Sequence, residues 1–265
     1  MMTIRESTRI VLPEGMSEYA LDAQQDVELV LEGTGRSDVY LRVLDARKAV
    51  IRCSVAAGAQ VSFLIWNACG QDVTFDEDYT VAKDGILRIA YGEVNDAGMK
   101  RRSFVHLKES GAYGLLSSAS LVSAEKSYEL TVNNEAPHTT GILQNYAVVL
   151  EGGQFVMDAT GKIEKGSHGA ESHQTSRALC FDEKQNSKIL PKLLIDENDV
   201  QASHATTLGR VDEEQMYYMQ ARGLTVRQCT SLISAGYLLP VTRFIENEAL
   251  KEALREELEK KMEEL

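Results

Sequence analysis

The residues of this chain best suited to hold a metal or move a proton are five histidines and four cysteines. His168 and His173 stand five apart in "GSHGAESHQ". On adjacent turns or strands two such imidazoles could share a metal ion. Two exposed loop histidines give the same pattern, so this pair ranks behind His204. His138 follows Pro137 in "NNEAPHTTG", a turn composition, and His106 alternates with apolar neighbours in "RSFVHLK", as on a strand facing solvent. His204 differs by position. It lies on an extended, threonine-rich segment, "SHATT", just before the chain becomes helical. A neutral imidazole there could ligate a soft or borderline metal such as iron; the plainer alternative is a hydrogen-bonded histidine at a strand end. The nearest cysteines, Cys180 and Cys229, are 24 and 25 residues away. A thiolate partner must therefore come through the fold or from another subunit. Cys53, Cys69, Cys180 and Cys229 contain no C-x-x-C pair, and a secreted chain would carry a denser set. They read as free thiols of a cytoplasmic protein, mostly buried as small apolar residues.

The sequence holds no G-x-S-x-G, G-x-x-x-x-G-K-[ST], G-x-G-x-x-G or H-E-x-x-H motif. Without a phosphate-cradling loop the chain is not itself an ATPase. With 40 Asp and Glu against 28 Lys and Arg, a net charge of −12 argues against nucleic acid and against an anionic membrane surface. The only local basic run is Lys100-Arg101-Arg102. The start, "MMTIRESTRIVLPEG", has no apolar signal-peptide core, and no apolar run approaches the ~18 residues of a membrane span.

The elements that must position these residues show in the pattern. From about residue 27 to 201, segments such as "VELVLEG", "VYLRVLD", "QVSFLIWNACG", "ILRIAYGE" and "YAVVLEGGQFVMD" alternate apolar and polar residues, as half-buried strands do. Gly58, Gly70, Gly85, Gly98 and Gly111 fall 12, 15, 13 and 13 residues apart. A glycine-marked turn about every 13 residues suits a β-sandwich, a meander or a solenoid, so the fold class is mainly β.

After Arg210 the grammar changes. Asp212 as N-cap, Gln215 three residues on and Gly223 past the end predict one short helix; Thr225, Gln228 and Gly236 repeat the device. The two form a helical hairpin. In "NEALKEALREELEKKMEEL" Leu250, Leu254, Leu258 and Met262 recur at i, i+4, predicting a final charged helix with one leucine stripe and Asn247 as its cap. That stripe can lie on its own domain or on a partner. The chain thus divides into an N-terminal segment 1–26, a β core 27–210 and a C-terminal helical subdomain 211–265.

"SHATTLGRVDEEQMYYMQARGL" closely resembles the end of the SufB/SufD family of iron–sulfur cluster assembly proteins. The pattern is a histidine, a small residue, Ala-Thr, a Gly or Ser, then an acidic helix closing on Arg-Gly-[Leu/Ile]. Here it is carried by His204, Ala205, Thr206, Gly209, Asp212, Glu213, Gln215, Tyr218, Arg222, Gly223 and Leu224. "APHTT", Arg177 in "HQTSRALCFDE", "QNSKILPKLLIDENDVQASHA" and "AGYLLPVTRFIENEAL" are similar to the family in the same order. The likeness is specific from residue 136 to about 250 and only architectural before it.

The resemblance implies a right-handed parallel β-helix core with C-terminal helices. It also implies a homodimer or heterodimer through the β-helix, and docking of the C-terminal helices on a SufC-like ABC-type ATPase. The contact residues would be Asp212, Glu213, Gln215, Met216, Tyr218, Arg222, Gly223, Leu224 and Tyr237. A transient iron–sulfur cluster would form at the dimer interface, with His204 and Cys180 as this chain's candidate ligands. Some family positions differ: Ala205 stands where the SufB branch has Glu, Ala202 where SufD-like members often have Cys, and residues 182–190 contain no cysteine. Three functions follow. The first is a non-catalytic scaffold for cluster assembly, and the second an adaptor of the ATPase complex that holds no cluster. The third is a metal-dependent β-solenoid enzyme using His168, His173 and Glu171.

Overall fold

The alternating segments become strands, and their stacking explains why some alternate cleanly and others do not. The computed structural model describes residues 1–181, 187–238 and 248–263. Among these residues the strands are β1 (Met2–Ile4), β2 (Thr8–Val11), β3 (Gly15–Asp22), β4 (Asp26–Gly33), β5 (Arg36–Asp45), β6 (Lys48–Val55), β7 (Gln60–Asn67), β8 (Val73–Val81) and β9 (Ile86–Glu93). They continue as β10 (Met99–Leu107), β11 (Tyr113–Val122), β12 (Glu125–Asn134), β13 (Thr140–Val149), β14 (Gln154–Ile163), β15 (Glu171–Cys180), β16 (Lys188–Ile195) and β17 (Gln201–Arg210). The helices are α1 (Glu213–Ala221), α2 (Val226–Leu238) and α3 (Glu248–Glu263).

Odd strands form one nine-stranded sheet, β1 to β17, and even strands one eight-stranded sheet, β2 to β16; we call them sheet A and sheet B. Each strand pairs in parallel with the strand two places along. This is a β-solenoid with two strands and two turns per coil. It excludes the sandwich, whose sheets are antiparallel. The N-terminal residues set apart as 1–26 carry β1, β2 and β3, which pair into the same two sheets. The solenoid therefore begins at its first strands rather than at residue 27.

Between the sheets lies one continuous apolar core that includes Ile51, Val61, Phe75, Ile89, Val105 and Leu130. The outer face of sheet B is polar, so its strands alternate: β8 "VTFDEDYTV" buries every second residue. Ion pairs cross that face from coil to coil, Arg52–Glu28 at 3.2 Å and Arg102–Asp76 at 3.1 Å among them. The outer face of sheet A is instead covered by α2 and α3. Tyr40, Leu64, Trp66, Ala90, Leu121 and Val148 cluster there with Leu238 and Leu258. A parallel strand covered on both faces reads as an unbroken apolar run, which accounts for "FLIW" in β7; "LLSSASLV" in β11 is also buried throughout, with Ser118 and Ser120 hydrogen-bonded to Asn145 and Tyr128.

One turn column shows how neighbouring coils constrain each other. Gly58, Asp84, Gly111, His138 and Gly169 all have positive φ and occupy equivalent turns of successive coils. The left-handed member of the second coil is Asp84, not the adjacent Gly85 of the sequence pattern. A Cβ on Gly111 would collide with Asp84 Oδ1, and one on Gly169 with the His138 ring. Side chain and glycine therefore alternate. Gly111→Ala is expected to cost about 2 kcal/mol of unfolding free energy, against about 1 for Gly58→Ala, which meets nothing within 4 Å. Urea midpoints of the two variants measure the difference.

The helical caps form locally as the sequence indicates. Asp212 accepts from the Glu214 and Gln215 amides at 2.9 and 3.4 Å, Gly223 closes α1 at φ 93°, and Thr225 and Gln228 cap each other reciprocally. Gly236 does not end α2, which runs on to Leu238. Burying Leu238 against sheet A outweighs the ~1 kcal/mol that a helical glycine costs. Leu258 of the leucine stripe packs in cis; the Leu250, Leu254 and Met262 side chains and the Asn247 cap lie outside the described residues. No described helix is long and apolar enough to cross a membrane.

Candidate functional site

The solenoid ends abruptly at its C-terminal side, and His204 stands there. β17 pairs with β15 in register, Gln174 opposite His204 and Ser176 opposite Thr206. In-register residues of parallel strands share a face, and Ser172, Gln174, Ser176 and Ala178 point into the core. Ala202, His204, Thr206 and Leu208 therefore continue the inward-facing columns, yet all are exposed because no further coil covers them. His204 is thus a core-facing position on an uncovered end, in mid-strand rather than at a strand end. Directly beneath His204 stand Gln174, Leu143 and Leu116, and the neighbouring column, beneath Thr206, is polar. Ser118 Oγ donates to Asn145 Oδ1 at 2.9 Å, and Asn145 Nδ2 to Ser176 Oγ at 3.2 Å. Gln174 Nε2 donates to the Lys192 carbonyl at 2.7 Å, while its Oε1 is buried without a partner among the described residues.

Both free edges at this end are long, ten residues in β17 and eight in β16, against three in β1 and four in β2 at the other end. Leu190, Leu194 and Leu208 are 45, 50 and 47% exposed here. Long unpaired edges with apolar side chains are what a pairing partner covers. Pro191 sits on β16, where an edge position tolerates its missing N–H.

Cys180 is not beside His204. It pairs with Arg210, six residues further along the register than the Gln174–His204 pair, which is about 20 Å at ~3.3 Å per residue. Cys180 is also buried, and burial pushes its thiol up. Burial likewise lifts Cys53 to about 12 and Cys69 to about 11. All four cysteines are free and buried. Reactivity follows the thiolate, so a colorimetric thiol reagent at neutral pH should label none of them quickly in the folded chain and all four in denaturant.

His168 and His173 are separated as well. His168 occupies the turn before β15 and meets His138 of the preceding coil edge-on, ring centroids 5.2 Å apart. His173 lies on the outer face of β15, its Nδ1 2.8 Å from Ser203 Oγ and its Nε2 3.6 Å from Glu171. His106 faces outward from β10, its Nδ1 2.6 Å from Glu135 Oε1. Among the described residues no three His, Cys, Asp or Glu side chains converge as a metal site.

A buried ionic cluster is the feature sequence reading missed. Lys100 and Arg102 point out from β10 but Arg101 points in, wholly buried between the Phe75 and Tyr91 rings at 3.8 and 3.9 Å. Its guanidinium binds Glu77 and, at 2.6 Å, Glu93. Tyr91 donates to Glu77 at 2.5 Å. Lys126, pushed down by burial to about 8, donates to the Glu93 and Asn95 carbonyls at 3.1 and 2.8 Å. The period-two alternation of "MKRRSFVHL" was the available signal.

At the helical end, α1 contributes no buried residue. Tyr217, Tyr218, Val226 and Leu232 of the hairpin are exposed, and Arg222 stacks over Tyr218 at 4.4 Å. Of the residues implied to meet an ATPase, Asp212, Glu213, Tyr218, Arg222 and Gly223 are exposed, and Gln215 too; Met216, Leu224 and Tyr237 are half-buried.

Comparison with known proteins agrees with this architecture. Residues 20–237 match the family described as SUF system FeS cluster assembly, SufBD core domain. The iron–sulfur cluster assembly protein SufD of Bacillus subtilis is 30% identical over 68% of this chain and 42% of its own length. SufB of the same organism is 24% identical over 52% of this chain and 30% of its own length. A SufBD family protein of Mycobacterium tuberculosis is 30% identical over 41% of this chain and 13% of its own length. The matched region is less than half of each relative. With the core-domain match spanning most of the solenoid and running on into α2, this chain belongs to the SufBD family of iron–sulfur cluster assembly proteins.

Proposed function

We propose that this chain is a non-catalytic scaffold subunit of cytoplasmic iron–sulfur cluster biogenesis. It dimerises through the open end of its solenoid and works with a SufC-like ABC-type ATPase bound at the α1–α2 hairpin. The observation that carries this reading is the uncovered last coil, which leaves an inward-facing imidazole and two long strand edges waiting for a partner. The exposed aromatic and aliphatic residues of the hairpin support the ATPase contact. A chain with no phosphate-cradling loop needs such a partner for nucleotide chemistry. Four unpaired thiols fit a reducing compartment.

A nascent cluster at the interface would take one imidazole from this chain, His204, and its remaining ligands from the partner. A second reading, an adaptor that holds no cluster, is favoured by Ala202 and Ala205 and by the burial of Cys180 some 20 Å along the sheet. Co-purification with the ATPase, followed by anaerobic reconstitution and assay of iron and acid-labile sulfide, separates the two. Complex formation with cluster absorbance that falls several-fold in His204→Ala is expected of the scaffold. Complex without cluster in either chain identifies the adaptor, and absence of any complex removes both.

A further inference from the structure

Helix α3 crosses the outer face of sheet A, and among its described residues the contacts centre on Glu257 and Leu258. Glu257 Oε1 accepts from the Trp66 indole Nε1 at 3.0 Å and from an Arg42 nitrogen at 3.1 Å, and its Oε2 lies 2.9 Å from the other Arg42 nitrogen. The next residue, Leu258, is fully buried in the cluster containing Tyr40, Leu64, Trp66 and Ala90. One turn on, Lys261 pairs with Asp96. Glu248, Glu252, Arg255, Glu256 and Lys260 are exposed.

The seat is loosely made. A solvent-open cleft of about 550 Å³ lies between the last turns of α3 and the turns of the solenoid, lined by Arg42, Asn67, Cys69, Asn95 and Lys260 among others. The Tyr40 hydroxyl is buried without a hydrogen-bond partner among the described residues. Surface left open to water adds no burial to the seat, and a lone buried hydroxyl forfeits its water. Half-exposed ion pairs add little and weaken with salt.

We propose that α3 is a releasable strap, held by the Glu257 carboxylate and Leu258, that leaves the outer face of sheet A while the solenoid stays folded. Release uncovers the strip at Tyr40, Leu64 and Trp66. It also removes one support of α2, which packs on α3 as well as on α1, β11 and β13. The strap thereby sets how firmly the hairpin is tied to the body. That purpose rests on the ATPase contact proposed above; the release itself does not.

Trp66 is the only tryptophan of the chain, so its fluorescence reports the strap. The test uses the full chain with no partner present, so its outcome is separate from that of the ATPase reading. Glu257→Gln and Leu258→Ala should each shift Trp66 emission to the red and raise acrylamide quenching about threefold, with far-ultraviolet dichroism and the main urea transition nearly unchanged. Glu256→Gln, on the exposed side of the same helix, should behave as wild type. Raising sodium chloride from about 0.05 to about 1 M should move wild type toward the Glu257→Gln spectrum. Unchanged Trp66 emission in both variants overturns the proposal. So does a red shift that appears only together with loss of the strand signal, which would make α3 part of the cooperative fold.

Discussion

Arg101→Met is expected to destabilise the chain by about 3–5 kcal/mol, enough to unfold most of it under mild conditions. The guanidinium is wholly buried and holds two carboxylates that are themselves fully buried. Methionine fills much of the space between Phe75 and Tyr91 but supplies no charge, leaving Glu77 and Glu93 to bear their desolvation alone. The two do not suffer equally. Glu93 keeps an attraction from the buried Lys126 and the Asn67 amide donor, whereas Glu77 keeps the Tyr91 hydroxyl and no second cation among the described residues. Burial already pushes the Glu77 carboxyl up even with Arg101 pulling it down. Glu77→Gln should therefore rescue Arg101→Met better than Glu93→Gln does. Urea unfolding followed by circular dichroism measures all three. A single-variant loss below about 1 kcal/mol would mean that the cluster is hydrated or rearranged rather than dry.

Leu194→Glu combined with Leu208→Glu should weaken the proposed dimer at least about 100-fold, or roughly 2.7 kcal/mol, while leaving the monomer fold intact. Both leucines are about half exposed in the single chain, so the monomer loses little by the change. In a dimer closed over the last coil, Leu208 would enter the shared core and Leu194 the outer rim of β16. Carboxylates there would be taken out of water without cations to meet them. Sedimentation of the chain over a concentration series detects the shift. An unaltered association constant would place the interface elsewhere and would remove the main support for His204 as a shared ligand.

Local rules accounted for what could be read directly from the sequence. Period-two alternation gave the strands, the spacing of about 13 residues gave the half-coil, and Asp212, Gly223, Thr225 and Gln228 gave the helix ends. Each of these depends on groups within a few residues of one another. The SufB/SufD-like segment around His204 gave the family and pointed to the end of the solenoid.

What the tertiary structure decided lies between coils, 26 to 31 residues apart along the chain from Gly58 through Asp84, Gly111 and His138 to Gly169. Register put Arg101 inside while Lys100 and Arg102 stayed out. It set His168 against His138 instead of His173, and it separated Cys180 from His204 along one sheet. It also left His204 facing inward with no described residue of a further coil above it. Packing carried α2 past Gly236 and seated α3 over Trp66. A one-residue slip of register would reverse every one of these faces while leaving the composition and local pattern unchanged, which is why only the assembled coils could fix them.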